Sequence, residues 1–296
     1  MDHLLEHLPE ILLHTLEETA RLLPFLFLTY LLMEFLEHKS GDAAAKWLRG
    51  SGKIGPLIGG AFGIVPQGGF SAAASGLYSG RIITVGTLLA VFLSTSDEML
   101  PILISKGASL PLMLKLLLTK LIIGVGIGFA VDAIIRVLRR KKKLPEKEPA
   151  IEDICEREHC RCGEHFALSA LRHTLYITVF IFCFSLVLNL VIHGVGEDKL
   201  GLLLSDRPII GNLLAALVGL IPNCASSIVL TELYLSNILS VGALLSGLLV
   251  NAGVGLAILF RNNRPFKDSL RIVLILWLVG TLSGLLIDLT PIHTLF

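Results

Sequence analysis

The chain has 296 residues, of which 53% are hydrophobic and 17% charged, and its mean hydropathy is +0.76. About a quarter of the residues in an ordinary soluble domain are charged, so this composition argues against a large soluble helical bundle. The formal net charge of +1 gives no indication of nucleic-acid binding, and the five cysteines do not indicate a disulfide framework. We predict a membrane protein whose partner is the lipid bilayer and not a nucleic acid.

The N-terminal residues are acidic and rich in histidine, and they do not resemble a cleavable signal peptide. His3, His7, Glu10 and His14 recur at spacings of 4, 3 and 4, which places them on one face of a helix. Leucine and isoleucine occupy much of the remaining surface. We expect an interfacial amphipathic helix here, with a metal-collecting face outside the membrane as the alternative.

Apolar runs long enough to cross a hydrocarbon core of about 30 Å recur along the chain. Two of them, 54–80 and 209–236, are interrupted by glycine and proline, and each is predicted to form a hairpin of two short helices. Counting each arm separately, the sequence predicts ten segments and an all-α polytopic membrane protein. The six predicted simple spans are 18–38, 82–104, 110–137, 173–194, 238–260 and 269–289.

Lysine and arginine predict the orientation of these segments, because cytoplasmic loops carry an excess of both. The loops after the first span and at 261–267 are basic, and so is the central loop. With these three loops inside, both termini lie outside the cell membrane and the loop at 139–168 is cytoplasmic. The basic residues at the start of the central loop are Arg136, Arg139, Arg140, Lys141, Lys142 and Lys143.

The two halves of the chain are related in sequence. Residues 63–89, GIVPQGGFSAAASGLYSGRIITVGTLL, align without gaps on residues 219–245, GLIPNCASSIVLTELYLSNILSVGALL, with ten identities in 27 positions. The same offset of 156 pairs Asp132 with Asp288 in the last spans of the two halves. Each half has an odd number of segments, so we expect two inverted five-segment repeats, as in many secondary transporters. The predicted organisation is a first repeat at 1–138, a Cys/His-containing loop at 139–168 and a second repeat at 169–296.

Each predicted hairpin has a proline near its centre, Pro66 in the first half and Pro222 in the second. Proline removes a backbone N–H and pushes the preceding residue away from helical geometry. Non-helical backbone is tolerated at membrane depth only where it is buried in protein or lines a watery cavity. The matched positions favour a substrate site over kinks that serve packing alone. The hairpin residues predicted to bind substrate are Pro66, Gln67, Gly68, Ser71, Pro222, Asn223, Cys224 and Ser227.

Ionisable groups within spans are expensive to bury in lipid and are usually functional. The run STSDE contains Asp97 and Glu98, whereas its counterpart around Asn251 is neutral. We add these three residues and Glu232 to the predicted substrate site, although Glu98 and Glu34 also suit wet helix ends. The candidate carriers of coupling protons are Glu34, Asp97 and Glu232. Two basic residues of the span 110–137 are expected to snorkel or to pair with carboxylates: Lys115 and Lys120.

The central loop contains the run CEREHCRCGEH. Clustered cysteine and histidine in a reducing, cytoplasmic setting indicate soft-metal ligands rather than disulfides. The spacing is not that of a standard zinc finger, and a solvated linker is the alternative. The predicted metal ligands are Cys155, His159, Cys160, Cys162 and His165.

The hairpin motifs PQGGFS and PNCASS, the ten-segment duplication and the Cys/His loop running into ALSALRHTLYITVFIF resemble one family. That family is the ten-transmembrane heavy-metal exporters, also described as arsenic efflux proteins or manganese transporters. The resemblance covers essentially the whole chain. It implies a functional role for the motifs at 66–71 and 222–227 and for the loop cysteines and histidines. A more His-rich loop is expected in that family than the two histidines found here.

The sequence therefore predicts a secondary transporter that exports a divalent or heavy-metal cation by alternating access, in exchange for protons. The metal ion is the substrate, no cofactor is required, and homo-oligomerisation is left open. A permease for arsenicals or another anionic or neutral solute is the second hypothesis, because half-helix N-termini favour anions. An intramembrane enzyme acting on lipid-linked substrates is the third, but no HExxH run or nucleophile–base pair supports it, and we expect no enzymatic activity. No Walker motif indicates an ATPase.

Overall fold

The computed structural model of the protein describes residues 8–39, 54–65, 68–96, 99–142, 166–195 and 208–291. Every regular element in these ranges is helical, and they contain no strand. Five helical segments among them are long and apolar enough to cross a membrane. The chain is thus an all-α protein with several membrane-spanning segments, in agreement with the predicted class.

The structure describes six α-helices in each half. In both halves the first and the last helix are long and the four between them are short. In the first half they are α1 (Leu8–Lys39), α2 (Gly55–Gly63), α3 (Gly69–Ser79), α4 (Val85–Ser94), α5 (Met99–Ser105) and α6 (Leu110–Lys142). In the second half they are α7 (Phe166–Val195), α8 (Pro208–Gly219), α9 (Ala225–Leu235), α10 (Val241–Val250), α11 (Val254–Asn262) and α12 (Phe266–Leu289).

The helices agree with the predicted segments at the hairpins and differ at three other places. Each predicted hairpin consists of two short helices, α2 with α3 and α8 with α9. The predicted simple span 82–104 is divided into α4 and α5, and the span 238–260 into α10 and α11. From Leu8 onward, the predicted interfacial helix and the first span form one continuous helix, α1, which contains Pro24, whereas His3 and His7 lie outside the described residues. Proline inside a membrane helix is tolerated when neighbouring groups satisfy the freed carbonyl.

The central helices are α4 and α10, whose described side chains are buried along almost their whole length. The outer helix α6 packs on α4, and α12 packs on α10 in the same manner. The outside of α12 presents an apolar side chain at every fourth position, which forms a ridge along one face. An apolar ridge of this length on the protein surface is suited to contact with lipid. The exposed residues of the ridge are Phe266, Leu270, Leu274, Leu278, Leu282 and Leu286.

In the first half, a buried aspartate of α6 binds the N-terminus of α4. Asp132 accepts hydrogen bonds from the Gly86 amide at 2.8 Å and from the Thr84 hydroxyl at 2.6 Å. Thr84 is the N-cap of α4, and its hydroxyl also accepts a hydrogen bond from the Thr87 amide. The first N–H groups of a helix lack partners within that helix and carry its positive dipole end, so a carboxylate is favourable there.

The second half contains the same arrangement around Asp288 of α12. The Asp288 carboxylate accepts from the Gly242 amide at 2.9 Å and from the Ser240 hydroxyl at 2.8 Å. Ser240 is the N-cap of α10, as Thr84 is of α4. A third donor, the Asn212 side-chain amide of α8, lies 2.7 Å from the same carboxylate. Each aspartate therefore ties an outer helix to the start of a central helix.

These carboxylates reach the helix ends because glycines let the helices approach closely. A Cβ added to Gly86 would lie 2.1 Å from the Gly128 carbonyl oxygen, and one added to Gly242 would lie 2.3 Å from that of Gly284. Small residues allow membrane helices to pack in this way. The contact surfaces of both helix pairs thus include backbone carbonyls, which cannot move aside as a flexible side chain can.

Alanine at Gly86 or at Gly242 is expected to lower the melting temperature of the purified protein in detergent. The new methyl group would overlap a backbone carbonyl, and overpacking of this kind costs about 1–3 kcal/mol. The matched control is Gly126→Ala on α6, where a Cβ would meet no atom within 4 Å. The control should be neutral or slightly stabilising, because alanine favours helix over glycine. Equal melting temperatures for all three variants would contradict the close approach.

Candidate functional site

Each central helix is interrupted near the middle of its membrane segment. The first break comprises residues 95–98 between α4 and α5, and the second break comprises residues 251–253 between α10 and α11. At the second break the Asn251 side-chain oxygen accepts a hydrogen bond from the Gly253 amide at 2.8 Å. Gly253 has a φ of 52°, which glycine adopts without a steric penalty. The second break is therefore an ordered turn, closed by a side-chain hydrogen bond, between the end of α10 and the start of α11.

The hairpin tips lie against the central helices of their own halves. The Ser96 hydroxyl, in the first break, donates to the Ile64 carbonyl at the tip of the first hairpin, at 2.5 Å. In the second half, a Cβ on Gly219 would lie 2.1 Å from the Gly247 carbonyl oxygen in the last turn of α10. Each hairpin thus brings its irregular backbone next to the end of a central helix, where buried polar groups can be satisfied.

The second arm of each hairpin also contacts the other half of the protein. The Ser75 hydroxyl on α3 donates to the Gly255 carbonyl at the start of α11, at 2.7 Å. A Cβ on Gly255 would lie 2.8 Å from the Ser71 carbonyl oxygen, so these two helices touch through backbone. On the other side, Met99 of α5 lies in one apolar cluster with Val229 and other residues of α9. The four interrupted elements therefore meet at the centre of the protein.

Lys120 of α6 is only 1% exposed, although its side chain is ionisable. It lies ten residues after the start of α6 at Leu110, or about 15 Å along a helix that rises 1.5 Å per residue. Its Nζ donates to the Leu248 carbonyl at 2.7 Å and to the Thr95 carbonyl. The predicted snorkelling of Lys120 to the interface is wrong, because the side chain is buried and joins α4 to α10, and its pairing with a carboxylate stays a prediction. Lys115, five residues earlier, is exposed.

Two buried polar atoms next to the breaks have no hydrogen-bond partner among the residues that the structure describes. They are the Ser94 hydroxyl at the end of α4 and the Nδ2 of Asn251 at the end of α10. Ser94 is fully buried and Asn251 is 3% exposed. An unpaired buried polar group costs about 1–3 kcal/mol, so such atoms call for an explanation. The Ser94 hydroxyl lies beside Gly60 of α2 and Gly124 of α6, so the two atoms need separate partners.

Asn223, a predicted substrate ligand, is 1% exposed and takes part in a chain of side-chain hydrogen bonds. Its Nδ2 donates to the Asn189 Oδ1 of α7 at 2.5 Å, and the Asn189 Nδ2 donates to the Thr15 hydroxyl of α1 at 2.9 Å. Its Oδ1 accepts from the Ala225 amide at 3.4 Å. Asn223 thus connects the tip of the second hairpin to the two long helices α1 and α7.

The remaining described hairpin residues also satisfy local backbone. The Ser71 hydroxyl donates to the Gly68 carbonyl, and the Ser227 hydroxyl to the Cys224 carbonyl, both at 2.8 Å. These four residues are buried at matched hairpin tips, and Pro222 beside them is half-buried. The tips are therefore ordered in part by their own serines.

Glu232 lies apart from this centre, in the last turn of α9. It forms an ion pair with Lys106 at 3.3 Å, and the two side chains are 37% and 56% exposed. Salt bridges at such accessible positions contribute little to stability, about 0–1 kcal/mol. The structure therefore places Glu232 at the periphery, whereas Gly68, Ser71, Asn223, Cys224, Ser227 and Asn251 are all buried.

Several predicted site residues lie outside the residues or side chains that the structure describes. They are Pro66, Gln67, Asp97 and Glu98, the side chain of Glu34, and the loop ligands Cys155, His159, Cys160, Cys162 and His165. Within the described ranges, no group of three or more His, Cys, Asp or Glu residues is arranged to hold a metal ion. The described centre offers carbonyl, hydroxyl and amide groups instead.

Two sets of polar contacts were not predicted from the sequence, those of Asp132 and Asp288 and those of Lys120. Asp132 and Asp288 were paired by the repeat but given no role, and their position exactly one repeat apart was the available signal. Lys120 was recognised as unusual within a span, but its neighbours could not be read from α6 alone. Both of its described partners are backbone carbonyls, which leave no trace in residue types.

Comparison of the chain with family models, with curated proteins and with solved structures finds no match.

A double-mutant cycle on Asn223 and Asn189 should show coupling. Each alanine substitution removes one partner of a short amide–amide hydrogen bond, so the double variant should lose less stability than the sum of the singles. The expected coupling energy is about 1 kcal/mol, measured from unfolding in mixed detergent. As a control, Asn223→Ala combined with Ser236→Ala at an exposed position should be additive. Additivity in both cycles would refute the Asn223–Asn189 contact.

Proposed function

We propose that the protein is a secondary transporter that exports a divalent or heavy-metal cation from the cytoplasm, with its substrate site between the two breaks. The observation that carries this proposal is the matched interruption of two buried central helices next to two hairpin tips. Discontinuous helices that meet near the bilayer midplane are how many transporters bind their substrates. Ser94 and Asn251, which carry unpaired polar atoms, lie at these interruptions.

We infer further that the two halves are inverted repeats at 1–138 and 169–296, joined by a cytoplasmic loop, with both termini outside. Several local features recur at the sequence offset of 156. The hairpins end in residues with the same left-handed φ of 57°, Arg81 and Asn237. The aspartate contacts to α4 and α10 recur at the same offset. These recurrences support duplication, and the basic loops support the orientation.

A cation is the favoured substrate because two carboxylates, Asp97 and Glu98, follow the end of α4 directly in sequence, and carboxylate oxygens are ligands that divalent cations prefer. Asn251 is a further candidate ligand. The carbonyls of Thr95 and Leu248 already accept from Lys120, so the proposed ligands are side chains. Alternating access would rock the two halves around this centre, with proton exchange as the coupling. The resemblance to ten-transmembrane heavy-metal exporters agrees with this substrate class.

A permease for arsenicals or another anionic or neutral solute is the second candidate. The observation that favours it is the presence of donors at the same centre, the Lys120 ammonium and the free N–H of Asn251 Nδ2. Charge-assisted N–H donors of this kind bind oxyanions well. The two candidates differ in the sign of the substrate charge and are separated by one flux assay.

Flux into sealed proteoliposomes should be observed for at least one of Mn, Zn, Cd and Co, and not for arsenite. Asp97→Asn and Asn251→Ala should each lower that flux at least about tenfold, since loss of one well-placed polar ligand costs about 1.4 kcal/mol or more. Ser105→Ala, at an exposed site on α5, is the matched control and should transport normally. Arsenite flux without flux of any cation would replace the first candidate by the second.

Deletion of residues 152–165 tests the proposed metal ligands of the loop. The deletion variant should retain flux at saturating metal but should require a higher metal concentration, because the cysteines and histidines no longer collect the ion. Growth protection against the same metal should weaken in parallel. An alanine variant of the three cysteines alone is the matched comparison. Unchanged concentration dependence in both variants would make the loop a linker.

A further inference from the structure

The start of α12 carries three exposed cations in close succession. Lys267 and Arg271 lie in the first two turns of the helix, and Arg264 lies three residues before Lys267, just outside it. Residues four apart lie on the same side of a helix, so Lys267 and Arg271 are one above the other, about 6 Å apart along the axis. These three residues form the basic stripe of α12.

In the ranges that the structure describes, no carboxylate is paired with the basic stripe. The two ion pairs formed among the described residues, those of Glu17 and Glu232, involve other cations. Asp268 follows Lys267 directly in sequence, but its carboxylate accepts a hydrogen bond from the Tyr78 hydroxyl of α3 at 2.7 Å. The aspartate is therefore used inside the protein, and the basic stripe presents its positive charge to the surroundings.

The same end of the protein gathers positive charge from the first half as well. Asp132 of α6 binds the start of α4, and Tyr78 of α3 binds Asp268 at the start of α12. Because only a short turn joins α3 to α4, the last turns of α6 lie at the same end of the protein as the start of α12. Those turns carry the exposed side chains of Arg136 and Arg140. Both aspartates at this end accept hydrogen bonds within the protein, whereas the cations are exposed.

The basic stripe lies directly beside the apolar ridge of α12. Phe266 and Leu270 of the ridge each precede a residue of the stripe in sequence, and all four side chains are exposed. Successive residues of a helix are rotated by about 100°, so charge and apolar surface are neighbours on the outside of α12. The stems of lysine and arginine can lie along apolar surface while their charges reach the headgroup region. Basic clusters at the ends of membrane helices attract anionic lipids.

The first half has the ridge without the stripe. One repeat earlier, at the offset of 156, α6 also exposes an apolar face, formed by Leu110, Leu114 and Leu118. The positions there that correspond to the stripe hold a single cation and are Ala108, Pro111 and Lys115. Contact with acyl chains alone therefore does not require the three cations, since the equivalent face of α6 has only one. The stripe indicates an additional, negatively charged partner at the start of α12.

We propose that the basic stripe binds the phosphate of an anionic phospholipid whose acyl chain lies along the start of the ridge. Two of its three cations are arginines, which form bidentate hydrogen bonds with phosphate. A zwitterionic lipid offers the same acyl chain but no net charge, so it gains less from the stripe. The proposal concerns a bound lipid, and it does not depend on which solute the protein transports or on whether it is a transporter.

The test is a titration of the purified protein in neutral detergent with phosphatidylglycerol or with phosphatidylcholine of the same acyl chains. Native mass spectrometry should show that the wild type retains phosphatidylglycerol in preference. Arg264→Gln, Lys267→Gln and Arg271→Gln should each weaken that binding about fivefold, the factor that one cation contributes near an anionic lipid. Lys115→Gln, one repeat before Arg271, is the matched control and should bind as the wild type does. Retention of phosphatidylcholine should be equal in all variants.

The melting temperature gives a second measurement on the same samples. Phosphatidylglycerol should raise the melting temperature of the wild type more than that of the triple glutamine variant, because it binds the folded wild type more tightly. The difference should shrink at high salt, which screens exposed charges. Inorganic phosphate added with phosphatidylcholine should not reproduce the effect. Without added lipid the triple variant should melt like the wild type, since all three side chains are exposed.

Several results would overturn the proposal. Equal retention of phosphatidylglycerol by the wild type and the triple variant would show that the stripe does not bind it. Equal retention of the two lipids by the wild type would show that charge does not matter. Stabilisation by inorganic phosphate as large as that by phosphatidylglycerol would assign the stripe to a free anion. A protein dimer without bound lipid that only the triple variant loses would make the stripe an interface between two copies of the chain. If the triple variant does not fold, the single variants decide.

Discussion

A helix that ends inside a membrane leaves carbonyl and N–H groups without partners, and lipid offers none. Each half of this protein contains two such endings, one at a hairpin tip and one in a central helix. The endings are placed against one another so that polar side chains reach the backbone near them. Ser96 reaches the tip of the first hairpin, Ser75 reaches the start of α11, and Lys120 reaches the ends of α4 and α10. The packing at the centre of the fold thus reflects the need to give the backbone groups at these helix ends hydrogen-bond partners.

The two halves satisfy the requirement in different ways, although they share a pattern. Both central helices begin at a capping hydroxyl and an aspartate of the outer helix. The second break, however, is closed by the Asn251 and Gly253 turn, whereas the end of α4 is held by Lys120. The second hairpin is also tied to α7 and α1 through Asn223. The central helices therefore start in equivalent ways, whereas their ends are held differently in the two halves.

The hairpins could be predicted because proline marks them, and proline acts on its own backbone regardless of the surroundings. The breaks were not predicted, because each lies inside a run long and apolar enough to be a single span. The signals in the sequence were the polar run at 94–98 with Pro101 shortly after it, and the Asn-Ala-Gly turn at 251–253. The role of Lys120 required knowledge of which carbonyls are left open, which no pattern of residue types records.

The difference between Lys120 and Leu276 makes the two halves unequal at their centre. In the first half this position carries a buried ammonium group that joins α4 to α10. In the second half it carries an apolar side chain packed into a hydrophobic cluster. The two halves are therefore not interchangeable around this centre, even though their central helices begin in the same way.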